Sequence, residues 1–173
     1  TLPPDVERAA AAGDVVEALR MSEERLRYAL DAANEGLWDA DIPSGRMYVN
    51  DRWLLQLGYA PGETLPAADV WRAALHPEDA PRITQLLDEF LQSGRDAHRT
   101  EHRIVTKMGE VRWQRSAGKV VARDALGRPL RMVGTNTDIT ERKRAEEQLR
   151  EREAALERSQ ALANVGHWIW DRQ

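Results

Sequence analysis

The 173-residue chain carries 25 basic and 29 acidic side chains, a formal net charge of −4, and no cysteine. The interleaved signs give no reason to expect nucleic acid or anionic lipid as a partner, and the missing thiols exclude disulfides, thiolate metal sites and cysteine nucleophiles. The length suits one domain plus appendages, the opening at Thr1 reads as that of a fragment, and no apolar run approaches the ~20 residues that span a bilayer; a cytoplasmic module without membrane contact is expected.

Residues 1–13, with Leu2-Pro3-Pro4 and an alanine run from Ala9 to Ala12, read as a linker or the tail of an upstream helix. Over residues 14–34, Val16, Leu19, Leu26, Leu30 and Ala33 fall near one face, which predicts an amphipathic helix stopped by Asn34 and Gly36. Leu37 to Ile42 and Arg46 to Val49 have strand character, and Pro43-Ser44-Gly45 between them supplies the fixed and the positive φ of a tight turn. A short helix follows from the cap Asn50-Asp51 to Leu57, another lies between Asp69 and Leu75, and the most regular one covers Pro81 to Gln92.

The last third changes period. Ala97 to Val105, Val111 to Ala122 and Leu130 to Ile139 are strands, separated by Lys107-Met108-Gly109-Glu110 and by Asp124 to Pro129. Two strands, a helical middle and three strands predict an α+β domain with a five-stranded antiparallel sheet and helices over one face. Beyond it, residues 141–162 form a charged helix; six acidic and six basic residues balance between Glu141 and Arg158. Leu149, Leu156 and Ala163 set one core position of a heptad, but Ala145, Arg152 and Ser159 fill its companion, so any coiled coil is weak. Residues 163–173 repeat residues 33–41 at an offset of 130: Ala, Asn, Gly, Trp and a final Asp recur. They read as the truncated start of a second, similar domain.

Little here points to catalysis. His98 and His102 have the spacing of two metal ligands on a helix, but on a strand four residues span ~13 Å, too far for one metal. Asp39 and Asp41 share a strand face without a third catalytic group, and no phosphate loop or nucleophile elbow occurs. The fragment is expected not to be an enzyme.

Gly134-Thr135-Asn136-Thr137-Asp138-Ile139-Thr140-Glu141-Arg142-Lys143 passes from strand to helix with no later Gly or Pro break. Asp138 or Thr140 can accept hydrogen bonds from free donors at the helix start, and Glu141 suits the positive end of the helix dipole. This passage resembles the closing (PAC) motif of a PAS sensory domain. Gly36-Leu37-Trp38-Asp39, Leu57-Gly58-Tyr59, Trp71, His76-Pro77-Glu78-Asp79, Glu101-His102-Arg103-Ile104 and Gly109 with Arg112-Trp113 extend the resemblance over residues 25–141, most closely to the subgroup with a His-Pro-acidic-Asp segment. Met108 stands where these domains usually carry Asp before the turn glycine.

The resemblance implies a PAS domain over residues 35–140 of a bacterial multidomain signalling protein, a sensor or relay for a histidine kinase or cyclic-di-GMP enzyme. Asp138, Ile139, Thr140 and Glu141 would transmit the signal. Flavin-photoreceptor relatives use a reactive cysteine, which excludes that photoadduct here; haem relatives take a histidine on the long helix, where this chain has none; non-covalent flavin stays open. Candidate residues around a small-molecule ligand are Trp53, Trp71, Phe90, His102, Trp113 and Arg115, although core filling by the tryptophans, with Arg115 facing water, is the favoured reading of the same residues. A parallel homodimer is expected, with both flanking helices near its twofold axis. The rival readings are a ligand-free dimerisation and spacer module and, further off, a small-molecule-processing enzyme.

Overall fold

The computed structural model describes residues 4–169, with side chains described over residues 14–161. Helix α1 (Pro4–Ala32) leads into strands β1 (Gly36–Asp41) and β2 (Arg46–Val49). Three helices follow: α2 (Asp51–Gln56), α3 (Ala67–Ala74) and α4 (Ala80–Gln92). Strands β3 (Ala97–Val105), β4 (Val111–Arg123) and β5 (Pro129–Asp138) complete the domain, and α5 (Thr140–Ile169) leaves it.

The sheet is antiparallel with order β2-β1-β5-β4-β3, so the first and last strands lie side by side at its middle. Entry and exit are therefore adjacent: Gly36 faces Asn136 across the β1–β5 ladder. The α+β expectation holds, with strand boundaries within a residue or so of those read from the turn signals.

Two expectations at the N-terminus change. Helix α1 starts at Pro4, so of the two readings of residues 1–13, linker or helix tail, helix is the one that forms; proline at a first helical position loses no hydrogen bond, and the alanine run that follows has the highest helix propensity. The helix does stop at Asn34, which takes φ 59° while the Glu35 N–H bonds to the Leu30 carbonyl at 3.0 Å and the Asn34 N–H to that of Asp31 at 3.1 Å. That is a Schellman cap with Asn in the place of the usual Gly. The apolar stripe, however, does not enter this domain's core: Val16, Leu19 and Leu26 are all more than half exposed. At the other end, α5 continues as helix to Ile169, across the first part of the repeated segment, and residues 170–173 lie outside the described residues.

The core is organised by Trp38. Its indole lies across the sheet on two glycines, with an added Cβ at Gly118 only 2.6 Å from the ring and one at Gly134 meeting both the ring and the carbonyl of Ala117. The indole N–H donates to Asn136 Oδ1 at 3.1 Å, so the buried ring keeps a polar partner. Trp53, Leu54, Leu57, Phe90, Ile104, Val120 and Met132 pack around it. At the entry, Asn50 Oδ1 accepts from the N–H of Leu37 and, as the cap of α2, from that of Trp53. Because a side chain at residue 134 would press on backbone as well as on Trp38, Gly134→Ala is expected to cost about 3 kcal/mol. Urea denaturation measures this; a loss under half a kcal/mol would contradict the packing described.

Candidate functional site

Strand alternation divides β3 and β4 between two tasks. On the helix side, His98, Thr100 and His102 of β3 and Ser116 of β4 line a cavity of about 300 Å³ under α3 and α4. Trp38, Trp53, Met132, Asn136, Trp71, Ile83 and Leu87 complete most of the wall, and Arg46, Arg72 and Asp41, all exposed, stand at its rim. His102 is buried, and its Nε2 has no hydrogen-bond partner; its Nδ1 lies 3.4 Å from Thr100 Oγ1. Of the candidate residues, Trp53, Trp71 and His102 line this one cavity. Phe90 is buried beside the wall, its ring centroid 4.9 Å from that of His98.

Trp113 and Arg115 are a correction. They share a parity, as expected, but the pairing of His102 with Gln114 puts that parity on the opposite face of the sheet from the cavity. Arg115 there donates to Thr137 Oγ1 at 3.1 Å and stands 4.0 Å from Glu35. His98, which is not among the candidate ligand residues, is half-buried on the cavity wall. Its i, i+4 relation to His102, on one parity of β3, could have flagged it; Asn136 and Gly134 follow only from the β1–β5 register.

The face away from the cavity holds the exit helix. Ile139 N–H donates to the Trp113 carbonyl and Thr140 Oγ1 accepts from the Trp113 N–H, both at 2.9 Å, so the β4–β5 ladder continues for one more residue pair into the first turn of α5. Asp138 Oδ1 accepts from the Thr140 N–H at 2.9 Å. Of the two expected caps, Asp138 serves the helix start and Thr140 instead binds β4. Ile139 and Thr140 are buried, whereas Glu141 is exposed and pairs with Arg144 at 2.8 Å. Glu101 of β3 holds Arg142 at 2.6 Å and Lys143 at 2.8 Å. The Lys143 ammonium also sits 5.0 Å from the centre of the Trp113 ring and the Arg103 guanidinium 5.9 Å from it, contacts of the cation–π kind.

Asp79, at the end of the His-Pro-acidic-Asp segment, anchors this arrangement from below. Its carboxylate accepts from the Arg103 backbone N–H at 2.7 Å and from the guanidinium at 2.7 Å, fixing the start of α4 to the middle of β3. Asp39 and Asp41 have local partners, Arg131 at 2.9 Å and the Ser44 N–H at 2.8 Å. No group of three or more metal-ligating side chains occurs among the described residues.

Comparison with known proteins bears directly on this architecture. Residues 46–136, more than half of the chain, match the PAS fold family. The chain belongs to that family. The crystal structure of a sensory box histidine kinase/response regulator from Burkholderia thailandensis matches with a TM-score of 0.66 at 33% identity, covering 78% of this chain and 98% of that one. A blue-light-activated histidine kinase of Brucella anthropi is 29% identical over 72% of this chain, which spans 24% of that kinase's length. The N-terminal domain of a diguanylate cyclase with PAS/PAC sensor from Marinobacter aquaeolei shares the PAS fold, with a TM-score of 0.56 at 23% identity over 63% of this chain and 98% of that one. The relatives support a sensory signalling role for this PAS domain, and no helix among the described residues is long and apolar enough to cross a membrane.

The PAS cavity and its support titrate in separate windows. Burial pushes the His102 imidazole down to about 4 from an ordinary 6.5 and lowers His98 as well. The hydrogen bond from Arg103 holds Asp79 at about 2, below the usual 3.8. For both residues the folded state binds its proton at lower pH than the unfolded chain, so stability falls with pH, first from 6.5 toward 4 and then from 3.8 toward 2. His102→Leu is expected to remove up to about 3 kcal/mol of the upper decline, and Asp79→Asn about 2 kcal/mol of the lower one. Urea midpoints measured across pH test both; an unaltered profile in either variant contradicts its assignment.

Proposed function

We propose that this PAS domain is a sensor or relay that passes a change in its cavity to α5 and so regulates an output domain of its parent protein, a histidine kinase or a cyclic-di-GMP enzyme. The observation that carries this reading is the division of β3 and β4: His102 and Ser116 border the cavity, while Glu101, next to His102, and Trp113, three residues before Ser116, hold the first turn of α5. A ligand that shifts either strand by a fraction of an ångström acts on the clamp without an intermediary. It does so only if it binds the two states of the clamp with different affinities.

The occupant is held without a thiol bond, since the chain has no cysteine. The domain works in the cytoplasm, and it regulates rather than catalyses. Exposed apolar side chains on α1 and on α5, among them Leu19, Leu26, Leu149 and Leu156, support a parallel homodimer near whose axis both helices lie. The same exposure favours the second reading, a ligand-free dimerisation and spacer module. A dimer that separates at low concentration suits the poor heptad seam of α5.

Two measurements examine this. Light scattering across protein concentration is expected to give twice the mass of one chain at the upper end, and a monomer throughout contradicts the dimer. Asp138→Ala removes the acceptor of the Thr140 N–H, costs about 1 kcal/mol of stability, and is expected to abolish regulation in the full-length parent protein. Full regulation in that variant contradicts transmission through the capped exit.

A further inference from the structure

The cavity has a definite chemical preference. Its walls are mostly indole and aliphatic: Trp38, Trp53, Trp71, Met47, Leu87 and Met132. Against them stands one buried polar atom without a partner, Nε2 of His102, in a residue only 1% exposed that itself lines the cavity. An unpaired buried nitrogen carries a desolvation cost that a bound partner relieves.

Charge narrows the class. The only cations among the lining residues are Arg46 and Arg72, both at the exposed rim, where Asp41 is also present and Arg72 lies 3.4 Å from Asp69. An anion inside would be buried without a counter-charge, which is costly. Burial likewise keeps His102 neutral. A neutral imidazole offers at Nε2 either a donor or an acceptor, according to the sense of the Nδ1 contact with Thr100. A hydroxyl group satisfies both cases. The volume of about 300 Å³ is at the small end of ligand pockets.

From these features we infer that the cavity binds an uncharged apolar ring compound bearing a single hydroxyl group, which meets Nε2 of His102. The inference rests on reading the cavity as the sensory site and adds the class of molecule it admits. The flat walls take the ring, the buried nitrogen fixes its orientation, and a carboxylate in place of the hydroxyl is rejected.

The test uses the 173-residue chain, with 1-naphthol and 1-naphthoate as probes in calorimetric titration. Naphthol is expected to bind at least about tenfold more tightly than naphthoate. His102→Leu is expected to weaken naphthol about five- to tenfold, and His102→Gln, which restores a hydrogen-bonding atom, to recover most of that loss. Urea midpoints confirm that each variant is folded, and native mass spectrometry identifies any molecule that co-purifies. Naphthoate binding as tightly as naphthol, or a co-purified flavin or other anion, overturns the ligand class and leaves the sensory reading in place. Unchanged naphthol affinity in His102→Leu overturns the role of Nε2. Binding of neither probe to an empty protein overturns the ligand class, whereas failure of the sensory reading shows separately, as full regulation in the Asp138→Ala parent protein.

Discussion

The arrangement depends on the two hydrogen bonds that join Trp113 to the start of α5. A helix leaving a domain is ordinarily free to swing about its first residue, because its leading N–H groups have no partners of their own. Here Ile139 and Thr140 are paired with β4 where the helix begins, and the Lys143 contact with Trp113 and both ion pairs of Glu101 engage its first turn. The ion pairs alone would contribute little, as partly exposed pairs are worth about 0–1 kcal/mol. Continuity of the ladder sets the direction in which α5 departs, and the charges hold it there.

The opposite face of the same strands is shaped by a second constraint. Trp38 can lie flat on the sheet because Gly118 and Gly134, one on each of two adjacent strands, present no side chain beneath it. The ring thereby forms part of a cavity wall instead of filling the space, and Asn136 satisfies its N–H. Inward and outward residues alternate along one backbone, so an adjustment of β3 that moves His102 carries Glu101 with it. No long-range path is needed, because the two faces are one strand apart.

Much of this was legible in the sequence. Turn residues with a mechanism, such as Pro43-Ser44-Gly45, and the helical spacing of Ile83, Leu87 and Phe90 marked the element order, and Asn34 was a visible stop. The junction was legible as well, down to Asp138 as a cap. What escaped was which face each strand parity takes. Trp113 and Arg115 share a side, but nothing local to β4 says whether that side meets α4 or α5; the register with β3 decides it. The partner of Thr140 escaped for a similar reason, since a hydroxyl next to a helix start has nearer donors than one 27 residues away. For α1, the periodic stripe was real but its burial does not occur within this domain, and periodicity alone carries no information about what covers a face.

Backbone amide exchange on the 173-residue chain tests the central claim most directly. If α5 is a continuation of the sheet, the amides of Trp113, Ile139 and Lys143 exchange as slowly as Val133 and Lys119 in the middle of the ladder, through the same opening of the sheet. If those three amides exchange as fast as the turn amide of Met108 while Val133 and Lys119 stay protected, the helix is a loose tether and the account of transmission fails.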